Sequence, residues 1–125
     1  MMQEFDSGAC LVFGGSGGIG AAIATRVAQG GSDVAITYCS NKDKADVAAA
    51  EIAELGVKCT VHQVDISNKE QIINAIADAA ENHGRLHSVV VAAGSDIKQP
   101  YLADVTDEQW DEVIESDLNG FFRIV

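Results

Sequence analysis

Ala9-Cys10-Leu11-Val12-Phe13 running into Gly14-Gly15-Ser16-Gly17-Gly18-Ile19-Gly20 is the stretch whose reading decides the fold. A short, continuous apolar run ended by glycines has the pattern of a strand buried on both faces of a parallel sheet. The residues from Ile19 onward are rich in alanine and stop at Gly30 and Gly31, as a helix does. Strand, glycine turn and helix start, in that order, give the glycines a chemical use. They let the chain turn tightly and approach a pyrophosphate, whose charge then meets the free N–H groups of the first helical turn. A turn that binds nothing explains them less well, because glycine raises the entropy lost on folding. No Gly-Lys-Ser/Thr follows, which excludes a Walker-type phosphate loop. The candidate ligand contacts in this stretch are Gly14, Ser16, Gly17, Gly18, Ile19 and Gly20.

Outward from the turn, strands are expected at 34–38, 58–64 and 86–93, and helices at 42–55, 69–82 and 107–117. Ser67 is read as the cap of the 69–82 helix, with Ile72, Ile73, Ile76, Ala79 and Ala80 on its buried face. Thr106 opens the last helix, with acids in its first turn where the dipole favours them. Strict alternation of strand and helix, joined by right-handed crossovers, gives a parallel sheet covered on both faces. The expected fold class is therefore α/β, a Rossmann-like doubly wound parallel sheet of strand order 3-2-1-4, as one domain over 1–125. The strand at 86–93 is apolar enough to belong mid-sheet, with neighbours on both sides. That leads to the expectation that these residues are the first part of a longer, here incomplete, domain.

Composition narrows the function. In 125 residues, 47% are hydrophobic and 22% charged, with Lys and Arg at 8 against 19 for Asp and Glu, a net charge of −11. Nucleic acid is excluded as a main partner, since no basic patch is present to displace phosphate counterions. A small anion held by backbone N–H groups is still allowed. Cys10, Cys39 and Cys59 form no C-x-x-C pair, which fits a reducing, cytoplasmic setting rather than a disulfide scaffold. Cys10 and Cys59 read as buried strand residues and Cys39 as exposed. No signal peptide or membrane-spanning stretch is visible, so no membrane partner is expected. His62, His83 and His87 fall in a strand, near a helix end and at a strand start. They are not expected to converge, and no metal site is expected. Trp110 reads as a packing residue.

The crevice at the strand ends holds the remaining candidates. A chain built for NAD usually carries an acid after the second strand to bind ribose hydroxyls. Here Tyr38 stands at that position, followed by Cys39, Ser40, Asn41 and Lys42. No carboxylate repels a 2′-phosphate, and Ser40, Asn41 and Lys42 could donate to one, so NADP(H) is favoured over NAD(H). No arginine offers the stronger forked contact. Asp65, after the third strand, could accept from an adenine amine or simply form a turn with Ser67. Ala92, Ala93 and Gly94 are small enough to let a nucleotide pack against the backbone.

Taken together, these residues resemble the short-chain dehydrogenase/reductase family, in particular its ketoreductase-like members. Gly14, Gly18 and Gly20 match the family's T-G-x-x-x-G-x-G pattern, with Phe13 in place of Thr. Asp65 matches the acid that contacts adenine, and Ile66 its neighbour that does so through the backbone. The family's N-N-A-G stands here as Val91-Ala92-Ala93-Gly94, and Trp110 with Asp117-Leu118-Asn119-Gly120-Phe121-Phe122 resembles the helix carrying N-x-x-G-x-F. Asp117 then occupies the position of the asparagine in the catalytic tetrad. The family's Ser and Tyr-x-x-x-Lys lie beyond this sequence. Tyr38 and Lys42 have that spacing but sit at the adenosine end, and Tyr101 has no lysine four residues on. The resemblance implies an oxidoreductase using NADP(H), or NAD(H), to interconvert a carbonyl and a hydroxyl group on a small molecule. This chain would supply the cofactor half, inactive alone, of a homo-oligomer. The alternative is a non-catalytic dinucleotide-binding or partner-binding module, suggested by Phe13, Val91 and Asp117 and by the missing Ser, Tyr and Lys.

Overall fold

The apolar runs of the sequence form the centre of a four-stranded parallel sheet. The computed structural model describes residues 4–95 and 100–125. Its elements are β1 (Ala9–Phe13), α1 (Gly18–Gln29), β2 (Asp33–Tyr38), α2 (Lys42–Ala53), β3 (Cys59–Gln63), α3 (Lys69–His83) and β4 (Leu86–Val91). A 3-10 turn at Leu102–Asp104 precedes α4 (Asp107–Val113), a π-helical segment Ile114–Asn119 and α5 (Gly120–Ile124). The strands run in the order β3-β2-β1-β4, all pairs parallel, as the alternating pattern predicts.

Side chains alternate across a strand, so each central strand feeds two cores. From β1, Leu11 and Phe13 join Ile72, Ala75 and Ala79 of α3 and Ile124 of α5. Cys10 and Val12 join Ala24 and Ala28 of α1 and Ile52 of α2. All of β1 is buried, which explains why no residue from Ala9 to Phe13 is polar. Small residues on α1 let that helix lie close on the sheet.

Side chains cap three of the helices. Asn41 Oδ1 accepts from Lys44 N at 3.0 Å, and Asn68 Oδ1 from Gln71 N at 3.1 Å. Thr106 and Gln109 form a reciprocal capping box. The expected cap at Ser67 is therefore displaced by one residue to Asn68, because Ser67 spends its hydroxyl on Asp65. Ile73, expected in the core, is 54% exposed, and Ala75 takes its place on the buried face.

Among the described strands β4 pairs with β1 alone, so it stands at the sheet edge that the order 3-2-1-4 gives it, partly buried, with Val89 exposed. Two other expectations change. The last helix does not end near 117. It widens through the π segment and continues to Ile124, because an inserted residue changes its period without leaving a mark in composition. Trp110, expected to pack, is 58% exposed in this chain. No helix among the described residues is long and apolar enough to cross a membrane.

Two of the three histidines do converge, contrary to the sequence reading. Thr60 Oγ1 lies 2.9 Å from His62 Nε2 and 2.8 Å from His83 Nε2. A hydroxyl carries one hydrogen, so Thr60 can donate to only one of the two rings and at least one ring donates to it. The strand at 59–63 places alternate residues Thr60 and His62 together, and the end of α3 brings His83 onto them. His87 is elsewhere, between Ser32 and Ser88 and stacked on Phe5. Cys59 is only partly buried, whereas Cys10 is buried and Cys39 exposed.

Burial holds the pKa of both His62 and His83 below the ordinary value of 6.5. Asp78 opposes the shift at His62. Lys58 adds to it at His83, where Asp33 opposes. The unfolded chain therefore binds more protons once the pH drops below that value. This contribution to stability is full above it and is lost as the solution becomes more acid. The melting temperature of the full-length protein should fall as the pH is lowered from about 7.5 to about 5.5, and His62→Gln with His83→Gln should flatten that slope in a series of thermal melts.

Candidate functional site

The site begins where β1 gives way to α1. Gly14 has φ of +79°, a conformation that favours glycine, and its N–H donates to Thr37 Oγ1 at 3.0 Å. Gly17 N donates back to Gly14 O at 3.1 Å and closes the turn. A Cβ at Gly20 would lie 2.0 Å from Gly14 O, and one at Gly15 would lie 2.5 Å from Ile36 Cγ2. These glycines permit backbone contact that any side chain would break. Gly17 and Gly18 differ: a Cβ at Gly17 would meet only Gly14 O at 3.5 Å, and one at Gly18 nothing within 4 Å. Their lack of side chains keeps the mouth of the turn open.

The first turn of α1 is correspondingly bare. Gly17 is its N-cap with no side-chain cap, and no acid stands in the first turn. The first intrahelical bond, from Ala21 N to Gly17 O, is 2.7 Å. The N–H groups of Gly18, Ile19 and Gly20 have no intrahelical partner, and the helix dipole places positive potential on them. This end can hold an anion with no cationic side chain.

A cleft of about 510 Å³ runs along the ends of the strands, within the range of roughly 300–1,000 Å³ typical of small-molecule sites. Of the sequence candidates, Gly14, Ser16, Gly17, Tyr38, Cys39, Asp65, Ile66, Ala92, Ala93 and Gly94 line it. Gly18, Ile19 and Gly20 belong to the adjoining turn of α1, and Ser40 and Asn41 lie past the end of β2. Asn41 uses its carbonyl oxygen to cap α2, which leaves its amide hydrogens for another partner. Lys42 Nζ is 2.6 Å from Asp46, so its charge is partly engaged.

Asp65 carries both features weighed from sequence. Its Oδ1 accepts from Ser67 N at 2.9 Å and Ser67 Oγ at 2.6 Å, which makes a turn. Those bonds hold its pKa below the usual carboxylate range, with Arg123 adding to the effect. Oδ2 accepts from none of the described residues and is free to take a donor in the cleft.

Asp117, on the π segment, stands behind the cleft wall and holds two residues that line it. Its Oδ1 accepts from Ser95 N at 2.7 Å and Ser116 Oγ at 2.6 Å. Burial works to raise its pKa, but the bonds from Ser116 and Ser95 outweigh it and keep the group ionised. Gly94 makes room for it, since a Cβ there would lie 3.0 Å from Asp117 Oδ1. Glu112, Glu115 and Ser116 line this acidic end of the cleft. Among the described residues no group of three or more His, Cys, Asp or Glu is placed to hold a metal ion.

The sequence reading missed several of these residues. Thr37 left a signal, as a 2% exposed polar residue in an otherwise apolar strand interior. Ser95, Glu112, Glu115 and Ser116, which line the cleft, and Arg123 behind it left none, because no local spacing ties them to the glycine turn.

A parallel 3-2-1-4 sheet with a glycine turn at its crevice defines a doubly wound α/β protein of the Rossmann type. The chain matches the short chain dehydrogenase family over residues 9–125 and belongs to it. It is 36% identical over 115 residues to a 3-oxoacyl-(acyl-carrier-protein) reductase from Aggregatibacter actinomycetemcomitans, which covers 92% of this chain and 47% of that one. It resembles the crystal structure of a dehydrogenase/reductase from Sinorhizobium meliloti 1021 with a TM-score of 0.89 and 33% identity, covering 96% of this chain and 47% of that one. A xylitol dehydrogenase in its NAD+-bound form has a TM-score of 0.91 and 25% identity, with 97% and 46% covered. The chain thus spans about half the length of the relatives it matches.

The glycines should separate by role. Gly20→Ala should destabilise by about 1–3 kcal/mol, as overpacking against backbone does, whereas Gly18→Ala should cost nothing, since alanine suits a helix better by about 1 kcal/mol. Thr37→Val leaves the Gly14 N–H without its acceptor and should cost about 1–3 kcal/mol. Urea denaturation of each variant checks all three values.

Proposed function

We propose that residues 1–125 form the dinucleotide-binding part of a single oxidoreductase domain that interconverts a carbonyl and a hydroxyl group, with NADP(H) preferred over NAD(H). The observation that carries this reading is the uncapped start of α1 behind an open glycine turn, at the mouth of a cleft of suitable volume. The pyrophosphate would lie on the N–H groups of Gly18, Ile19 and Gly20. Asp65 Oδ2 and the backbone of Ile66 would take the adenine, and Ala92 to Gly94 would let the ribose and nicotinamide end pass close to the chain. The nicotinamide, when bound, supplies or accepts the hydride.

The cofactor preference is supported by Tyr38, which leaves no carboxylate at the end of β2 to repel a 2′-phosphate, and by donors on Ser40, Asn41 and Lys42. The matched reductase, whose name describes reduction of a 3-oxo group, supports the carbonyl reading. Exposed Trp110, Leu118 and Phe122 favour a homo-oligomer. Three unpaired cysteines favour a cytoplasmic setting.

A second reading, a module that binds the dinucleotide without turning it over, is favoured by Asp117. An ionised carboxylate accepts hydrogen bonds but donates none, unlike the family's asparagine. Turnover of NADPH with a panel of ketones by the full-length protein separates the two.

Gly18→Asp places a carboxylate on the bare helix start, where nothing crowds it. The variant should stay folded yet lose at least about tenfold in dinucleotide affinity. Tyr38→Asp should shift preference from NADPH toward NADH by about tenfold or more. Fluorescence titration of both cofactors measures each change, and equal dinucleotide affinity of Gly18→Asp and the wild type would remove the pyrophosphate site.

A further inference from the structure

We infer that Arg123 is a positioning residue of the dinucleotide cleft, setting where the loop 65–67 stands against the opposite helical wall; this rests on the dinucleotide reading above. Arg123 does not line the cleft. It lies on α5 with its side chain 22% exposed, and its contacts reach both rims. Nη1 donates to Ile66 O at 3.4 Å, behind the loop that carries Asp65. The same nitrogen donates to Glu115 O at 3.4 Å, and Nη2 donates to Glu115 Oε1, both on the π segment. Asn119 Nδ2 holds the other carboxylate oxygen of Glu115 at 2.8 Å, so the acceptor is itself fixed.

The remaining hydrogen bonds of the loop are local. Asp65 N donates to Gln71 Oε1, Ser67 N to Asp65 Oδ1 and Asn68 N to Asp65 O. They shape the loop but do not place it across the cleft. Among the described hydrogen bonds, those of Arg123 alone join it to the π segment.

The helix that carries Arg123 is seated on the same residue from a second side. Gly120, one turn earlier, packs so closely that a Cβ there would lie 2.9 Å from Ile66 Cδ1. Ile66 is thus held by its side chain at Gly120 and by its carbonyl at Arg123. A planar guanidinium suits this task, since its fixed fork spans a carbonyl and a carboxylate at once. A lysine ammonium is a single point charge. Ile124, 8% exposed, anchors α5 in the core independently, so loss of the guanidinium leaves the helix packed.

The test uses Arg123→Met and Arg123→Lys in the full-length protein. Dissociation constants are measured by calorimetry for NADPH, 5′-AMP and nicotinamide mononucleotide. Arg123→Met should weaken 5′-AMP and NADPH by about tenfold while nicotinamide mononucleotide changes by less than about twofold. Arg123→Lys should recover part of the 5′-AMP affinity. A purely structural role would weaken both fragments alike, and that result, or no loss at all, overturns the positioning role. Should Arg123→Met fail to fold, Arg123→Lys must still show the loss on 5′-AMP alone. A wild type that binds no dinucleotide overturns the reading beneath the inference and the inference with it.

Discussion

The structure depends on the contact between the carbonyl of Gly14 and the backbone of Gly20. At 2.0 Å from that oxygen there is no room for a Cβ, so α1 can begin where it does only because Gly20 has none. That close approach fixes the direction of α1 relative to β1. It also puts the free N–H groups of the helix start at the end of the sheet rather than on its face. Thr37 extends the constraint sideways by holding Gly14 N from β2, so the turn is tied to two neighbouring strands. The cleft inherits its geometry from this arrangement.

The sequence made the fold legible because the features that dictate it are local and periodic. Apolar runs at Ala9 and Val34, the glycine stop at Gly30 and Gly31, and an alternation of strand with helix leave few topologies once crossovers are right-handed. The strand order follows from that pattern. Cap positions and helix faces were less legible. Ser67 and Asn68 are both good caps, and only the competing bond from Ser67 to Asp65 selects Asn68. Ile73 carries the right chemistry for the core on the wrong angle of the helix.

The cleft was legible at its glycine end and opaque at its acidic end, for one physical reason. The glycine end is built from residues close in sequence, whose spacing reports their proximity. Ser95, Glu115, Ser116 and Asp117 meet through a π turn, which rotates the residues beyond it with no change in polarity or size. The histidine pair escaped for a related reason: Thr60, which joins His62 to His83, is unremarkable until two elements dock. Long-range pairs have no sequence period to betray them.

The opposed ends of the cleft explain how a chain of net charge −11 can present a site for an anion. Salt screens exposed charges beyond about 8 Å at physiological ionic strength, so the overall charge counts for little inside a cleft. Local potential decides instead. At one end lie bare N–H groups and the positive end of the α1 dipole, with no acid in the first turn. At the other lie Glu112 and Glu115, with Asp117, kept ionised by Ser116 and Ser95, behind the wall. An elongated ligand with its negative charge off-centre is therefore favoured in one orientation and opposed in the reverse. Arg123 fits that polarity: its charge is spent on Glu115 and Ile66 behind the wall, which steadies the acidic end without making it attractive to phosphate.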